Sequence, residues 1–225
     1  MLSGARAARG VEVWLARHGE TTWNVAGRYQ GRLESTLSEL GKRQAAALAE
    51  YFSERVGARD EAPRRVVSSP MVRCVETARP CAEVLRVPVK TDERLIEIAH
   101  GTWEGRYRDE LATNDPERYR AWREDPAHVG FEGGEALTDV LERWRAFAAS
   151  LARDARPALV VTHDAVIRCA LVDLEGRPLD DFWKVKVGNA AFARLRSDGK
   201  RLNVLASYCA DHLGALEADT ARQAL

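Results

Sequence analysis

Short apolar runs alternate with amphipathic stretches along most of this chain. Val11 to Ala16, Arg65 to Ser68, Val87 to Thr91 and Ala158 to Thr162 are brief and rich in β-branched residues, which predicts buried strands. Between them apolar positions recur at intervals of three and four over Ser38 to Arg55, Pro70 to Leu85 and Glu135 to Arg153, the period of a helix. The last stretch sets Leu137, Val140, Leu141, Trp144, Phe147 and Leu151 on one stripe. A further helix is predicted after His163, through Val166, Ala170 and Leu171. Ser69 reads as the N-cap of the second helix, with Pro70 at its first position. Ala191 to Arg196 and Arg201 to Ser207 read as two strands joined by the turn Ser197-Asp198-Gly199-Lys200. The alternation predicts an α/β fold: a three-layer α/β/α sandwich around a mostly parallel mixed sheet with one antiparallel edge strand.

A chain of 225 residues is long enough for one such domain with a substantial core. Residues 11–210 are expected to form it, with a flexible N-terminal tail over 1–10 and an Ala-rich C-terminal tail over 211–225. Residues 106–132, between Gly105 and Gly133-Gly134, are expected as short helices capping a site, and Asp115-Pro116 starts one of them well. Tyr107, Tyr119, Trp122 and the arginines beside them would either contact a leaving group or form an ordinary amphipathic cap with solvated charges.

Charge narrows the partners. Thirty-four Lys and Arg balance thirty-four Asp and Glu, so nothing points to nucleic acid, and no basic run marks a membrane surface. No apolar stretch reaches the ~18 residues of a membrane span. The first ten residues lack an apolar segment of the signal-peptide kind. Cys74, Cys81, Cys169 and Cys209 make no CxxC pair, which suits a reducing compartment, and a cytoplasmic location is expected.

Candidate chemistry gathers at predicted strand ends, where ligands of open α/β sheets collect. The first strand runs into Arg17-His18-Gly19-Glu20-Thr21, the second into Ser68-Ser69-Pro70 with Arg73 and Thr77 on one helix face, and the fourth into His163. Imidazole can act as a nucleophile or acid/base near neutral pH, and guanidinium groups fork onto phosphate oxygens. Gly19 would let the backbone approach a ligand closely. Two arginines and two histidines at one sheet edge suit a small dianion such as a phosphate group. A zinc site competes as a reading of the histidines, but neighbouring arginines would oppose a dication and no cluster has metal-ligand spacing. Glu97, among apolar neighbours and followed by the bends of Gly101 and Gly105, would hold a proton near neutral pH and serve as a general acid. Its plainer reading is a surface pair with Arg94 or Arg73.

These segments in order, Leu-Ala-Arg-His-Gly-Glu-Thr, Ser68 to Ala78, Leu95-Ile96-Glu97 with Gly-Thr-Trp-Glu-Gly, and Val-Thr-His163, resemble the histidine phosphatase (phosphoglycerate-mutase-like) superfamily, on its phosphatase branch. Asn24, Gly27 to Gly31, Leu37-Ser38 with Gly41, Gly133-Gly134-Glu135 and Gly188-Asn189 add to the resemblance. It implies a metal-independent phosphomonoester hydrolase of a small phosphorylated metabolite, with no cofactor. His18 would become a phosphohistidine, and Arg17, Arg73 and His163 would grip the nonbridging oxygens, assisted by Asn24 and Gln30. Glu97 would protonate the leaving oxygen and then activate water. The resemblance also admits a homodimer. A cofactor-dependent phosphoglycerate mutase and a non-catalytic phosphate-binding protein are the alternatives. The mutases carry a longer insertion before Gly133, and all five central residues are present.

Three positions depart from the pattern. Asp164-Ala165 follows His163 where glycines are usual, Ala136 replaces a common serine, and His100 stands near Glu97 where an aromatic or aliphatic residue is frequent. They bear on substrate contacts more than on the chemistry.

Overall fold

In the computed structural model, which describes residues 10–56, 62–154, 156–220 and 223–224, six strands form one sheet. The chain runs β1 (Val11–Arg17), α1 (Thr22–Ala26), α2 (Glu39–Ser53), β2 (Arg65–Ser68), α3 (Val72–Leu85), β3 (Val89–Thr91), α4 (Arg108–Asn114), α5 (Pro116–Glu124), α6 (Leu137–Ala152), β4 (Ala158–Thr162), α7 (Asp164–Leu174), β5 (Phe192–Ser197) and β6 (Leu202–Cys209). The sheet order is β3-β2-β4-β1-β5-β6. Its first four strands are mutually parallel, β5 runs antiparallel to β1, and β6 closes the edge antiparallel to β5.

The continuous apolar runs exist because the central strands are covered on both faces. In β1, Trp14 and Ala16 face a cluster with Leu48 and Phe52 of α2 and Cys74, Ala78 and Cys81 of α3. Val13 and Leu15 face the opposite cluster, with Trp144 and Phe147 of α6 and Val166 and Cys169 of α7. β4 splits likewise, Leu159 and Val161 to one side and Ala158 and Val160 to the other. Each fully buried Leu or Val contributes about 1.5–3 kcal/mol. The registers Leu15 opposite Val160 and Val67 opposite Val160 bring the ends of β1, β4 and β2 level.

Element ends differ from the sequence expectation in instructive places. The second long helix begins at Val72, with Met71 as an N-cap that makes no side-chain bond; Ser69 and Pro70 stay outside it. Residues 106–132 contain the short helices α4 and α5; Trp122 and Phe131 of this segment pack inward, whereas Tyr107 is half exposed. Trp122 and Trp103 are fully buried; both meet Phe131 edge-on, and Trp122 also meets Trp183 edge-on and Phe182 at a tilt. Trp183 donates to the Trp122 carbonyl at 2.6 Å. Asp115 accepts from the Trp103 indole at 3.0 Å.

Beyond β6 the chain folds back, burying Leu213, Gln223 and Ala224. The N-terminal stretch read as flexible lies, but for Gly10, outside the described residues. Among the described residues no helix is long and apolar enough to cross a membrane.

Candidate active site

The site lies at the carboxyl ends of three adjacent strands, β2, β4 and β1. Arg17 is the last residue of β1, and His18 continues the pairing, its amide donating to the Thr162 carbonyl at 3.0 Å. Arg17 and His18 are 1% and 2% exposed. His18 Nδ1 lies 2.7 Å from the Gly19 carbonyl. A carbonyl only accepts, so Nδ1 carries the ring proton and Nε2 keeps its lone pair. Burial, then the charges of Arg73 and Arg17, hold His18 well below the usual histidine pKa. Its ring is neutral and held in one orientation, with Nε2 unprotonated.

Gly19 serves a different purpose from the one its position suggests. A Cβ there would lie 2.6 Å from the Gly41 carbonyl, and one at Gly41 would lie 1.9 Å from the Glu20 carbonyl. The two glycines let the amino end of α2 press against the loop after β1. Gly19 N–H donates to Thr77 Oγ1 of α3 at 2.9 Å, so both helices on this face hold the His18 loop.

Arg73, buried in the first turns of α3, donates to the Gly31 and Leu33 carbonyls at 2.8 and 3.0 Å. Its Nε reaches His163 Nδ1 at 3.2 Å. Guanidinium can only donate, so His163 Nδ1 accepts and its proton sits on Nε2, which donates to Ser69 Oγ at 2.8 Å. Burial and Arg73 keep His163 well below the ordinary pKa, and its ring centroid stands 5.3 Å from that of His18. Ser69 is therefore a partner of His163 rather than a helix cap.

Glu97 is 3% exposed and its carboxyl accepts from the Ile98 amide at 3.0 Å. Burial raises its pKa to about 7; Asp164 adds to the rise, while Arg73, Arg17 and the Ile98 amide oppose it. The surface pair does not form: Arg94 binds Asp92 instead, at 2.6 Å. Gly101 and Gly105, with φ of 52° and 80°, make the two bends after it. His100 packs edge-on against Tyr29 and Phe131, and burial lowers its pKa to about 3, so it carries no charge to act on Glu97.

Several buried donors face no protein acceptor. Arg17 Nη2 donates to Gln223 Oε1 at 2.8 Å, while its Nε and Nη1 find no hydrogen-bond acceptor among the described residues. Asn24 Nδ2 is in the same state, although Asn24 Oδ1 accepts from the Thr21 amide and hydroxyl. Gln30 Oε1 accepts from the Ser35 hydroxyl and lies 3.0 Å from the Thr21 hydroxyl, whose one proton it shares with Asn24 Oδ1. Unused N–H groups on a buried guanidinium and amide are costly unless an acceptor, an anion or a water, meets them.

Sequence reasoning missed Gln223, whose amide also donates to Asn189 Oδ1 at 2.7 Å; Asn189 in turn donates to the His18 carbonyl at 3.3 Å. No local pattern marks a polar residue in a composition-biased tail. Among the described residues one group has metal-ligand proximity, Asp125, His128 and Asp180, and it is exposed and shares no residue with this site.

The profile of the histidine phosphatase superfamily (branch 1) matches residues 13–209. Phosphoserine phosphatase 1 of Hydrogenobacter thermophilus is 35% identical over 206 residues, covering 91% of this chain and 95% of that one. Glucosyl-3-phosphoglycerate phosphatase of Mycolicibacterium vanbaalenii is 34% identical over 200 residues, covering 82% and 85%. Among solved structures, Bacillus stearothermophilus YhfR superimposes with a TM-score of 0.82 at 29% identity, over 90% of this chain and 99% of that one. With its strand-end motifs, its sheet order and these matches in agreement, the chain belongs to the histidine phosphatase superfamily.

Proposed function

We propose that the protein hydrolyses a small phosphomonoester, without a metal ion, through a phosphohistidine on His18. The observation that carries this reading is the His18 ring: neutral, pinned at Nδ1 by the Gly19 carbonyl, and set among buried guanidinium groups. His18 Nε2 attacks phosphorus in line with the departing oxygen, forming the N–P bond as the P–O bond breaks. Arg17 and Arg73, with Asn24 Nδ2, meet the nonbridging oxygens, and His163, held by Arg73 and Ser69, completes the cradle. Phosphoryl transfer asks mainly for positioning and charge stabilisation, which fixed guanidinium groups supply. Glu97, protonated below about pH 7, gives its proton to the leaving oxygen. As a carboxylate it then takes a proton from the water that cleaves the phosphohistidine.

A compact leaving group fits best. A relative that matches 91% of this chain and 95% of its own is a phosphoserine phosphatase, and Gln223 of the returning segment is bonded to Arg17 beside the site. Phosphoserine therefore stands ahead of bulkier esters such as glucosyl-3-phosphoglycerate.

The test is phosphate release from phosphoserine, 3-phosphoglycerate, sugar phosphates and an aryl phosphate in EDTA, with His18→Ala alongside. EDTA-resistant release that disappears in His18→Ala is expected. Wild-type turnover by His18→Ala would refute the nucleophile. Isomerised phosphoglycerate in place of released phosphate, in the presence of 2,3-bisphosphoglycerate, would make the protein a mutase.

A further inference from the structure

We propose that Asp164 is a positioning residue: it holds the Arg17 guanidinium against the reacting phosphoryl group and trims the positive charge that a dianion meets in the site. The inference rests on the phosphatase reading above and adds to it a role for an acidic residue at a position where the family pattern has glycine.

Asp164 opens α7 directly after His163 and is fully buried. A lone buried carboxylate is costly by several kcal/mol unless cations and hydrogen bonds meet it, so its partners are part of its reason to be there. One oxygen lies 3.2 Å from Arg17 Nη1. Arg168, one turn along α7, grips the carboxylate through Nε and, at 3.5 Å, through Nη2. Arg168 cannot swing away. It donates to the Phe182 and Val185 carbonyls and lies against the rings of Phe182 and Trp183. Since Trp183 is bonded to the Trp122 carbonyl of α5, a rigid chain of contacts runs from the capping helices through Arg168 and Asp164 to Arg17.

The Arg17–Asp164 contact is an ion pair without hydrogen-bond alignment, which leaves the protons on Arg17 Nε and Nη1 unused. The carboxylate thus fixes the guanidinium without consuming the donors that an anion needs. Charge leads to the same conclusion. With His18 and His163 neutral and Glu97 protonated, Arg17, Arg73 and Arg168 bring three positive charges and Asp164 removes one. Asp164 thus lowers the positive charge that a phosphomonoester dianion would meet, beside the more distant Arg143, Glu34 and Glu104. Asp164 also faces Glu97, together with Arg17 from β1, Arg73 and Cys74 from α3, and Cys169 from α7, and its negative charge favours the proton on Glu97.

These two roles give opposite signs in ground state and transition state. Asp164→Ala should lower kcat about ten- to a hundredfold through misplacement of Arg17. Yet inorganic phosphate should inhibit at equal or lower concentration, because the site has become more positive. Asp164→Asn keeps the shape and an acceptor while losing the charge. It should recover part of kcat, retain the tighter phosphate inhibition, and move the alkaline limb of kcat/KM to lower pH.

The experiment measures kcat, KM, phosphate inhibition and the pH profile for wild type, Asp164→Asn and Asp164→Ala, using whichever ester the wild type hydrolyses, with thermal unfolding alongside. If Asp164→Ala does not fold, Asp164→Ala with Arg168→Leu, which removes the cation that would be left unpaired, carries the same kcat expectation. Variants that match wild type in kcat, inhibition and pH limb, with only their melting points moved, would overturn the proposal. So would weakened phosphate inhibition with kcat intact. An inactive wild type would refute the phosphatase reading itself, whereas an active wild type with indifferent variants would refute this inference alone.

Discussion

Glu97 shows how one buried side chain couples chemistry to stability. Its pKa of about 7 in the folded chain lies well above the ordinary 4.5. The folded state therefore binds more protons than the unfolded one between those values, and stability falls as pH rises through that window, by about 3 kcal/mol in total. Glu97→Gln removes this dependence. Chemical denaturation should find it close to wild type near pH 5 and more stable above pH 7. A melting point that falls at pH 8 would contradict the burial argument. His18 and His163 act in the opposite sense: their lowered pKa values make stability fall as pH drops below about 6.5. Catalysis separates the roles further. Glu97→Gln should slow phosphoserine by about 10²–10⁴ while leaving an aryl phosphate, whose oxygen departs unaided, far less affected. Equal slowing of both esters would exclude an acid role. For poor leaving groups, wild-type kcat/KM should decline above about pH 7.

At the scale of elements, the loop after β1 keeps its shape because two helices press on it. Gly41 is the sharpest test of that packing. Gly41→Ala places a methyl group against the Glu20 carbonyl, a backbone atom that cannot step aside cheaply. It should lower stability by about 1–3 kcal/mol and reduce turnover by displacing Gly19 and His18. Gly130→Ala, whose added carbon meets nothing within 4 Å, is the control and should match wild type in both. These contacts also mark how far the sequence can be read. β2 and β4 fall at their expected bounds because a strand covered on both faces needs an unbroken apolar run. The start of α3 slips by two residues: Met71 takes the N-cap position, and the Ser69 hydroxyl meets His163, a partner far along the chain, as well as the Met71 amide at 3.4 Å. The bond from Arg17 to Gln223 spans 206 residues and leaves no trace in either neighbourhood. Apolar periodicity records burial; it does not record which polar groups meet.

The molecule as a whole is built so that the proposed site sits on β1, β2 and β4, neighbours in the sheet but drawn from distant parts of the chain. β1 and β2 do not pair with each other; β4, far later in the chain, lies between them and pairs with both. Closing loops of that length costs entropy that only the finished sheet recovers. No folding fragment can therefore hold a working site: a β1 loop alone presents His18 without Arg73 or the acid, and an isolated β2–α3 unit presents a cation with nothing to steer. Loss of turnover in denaturant should overlay the loss of far-ultraviolet circular dichroism, and activity surviving past the spectroscopic midpoint would show a locally organised site. Turnover thus becomes a gauge of folded protein, and seating β4 between β1 and β2 is what brings the working groups within reach of one another.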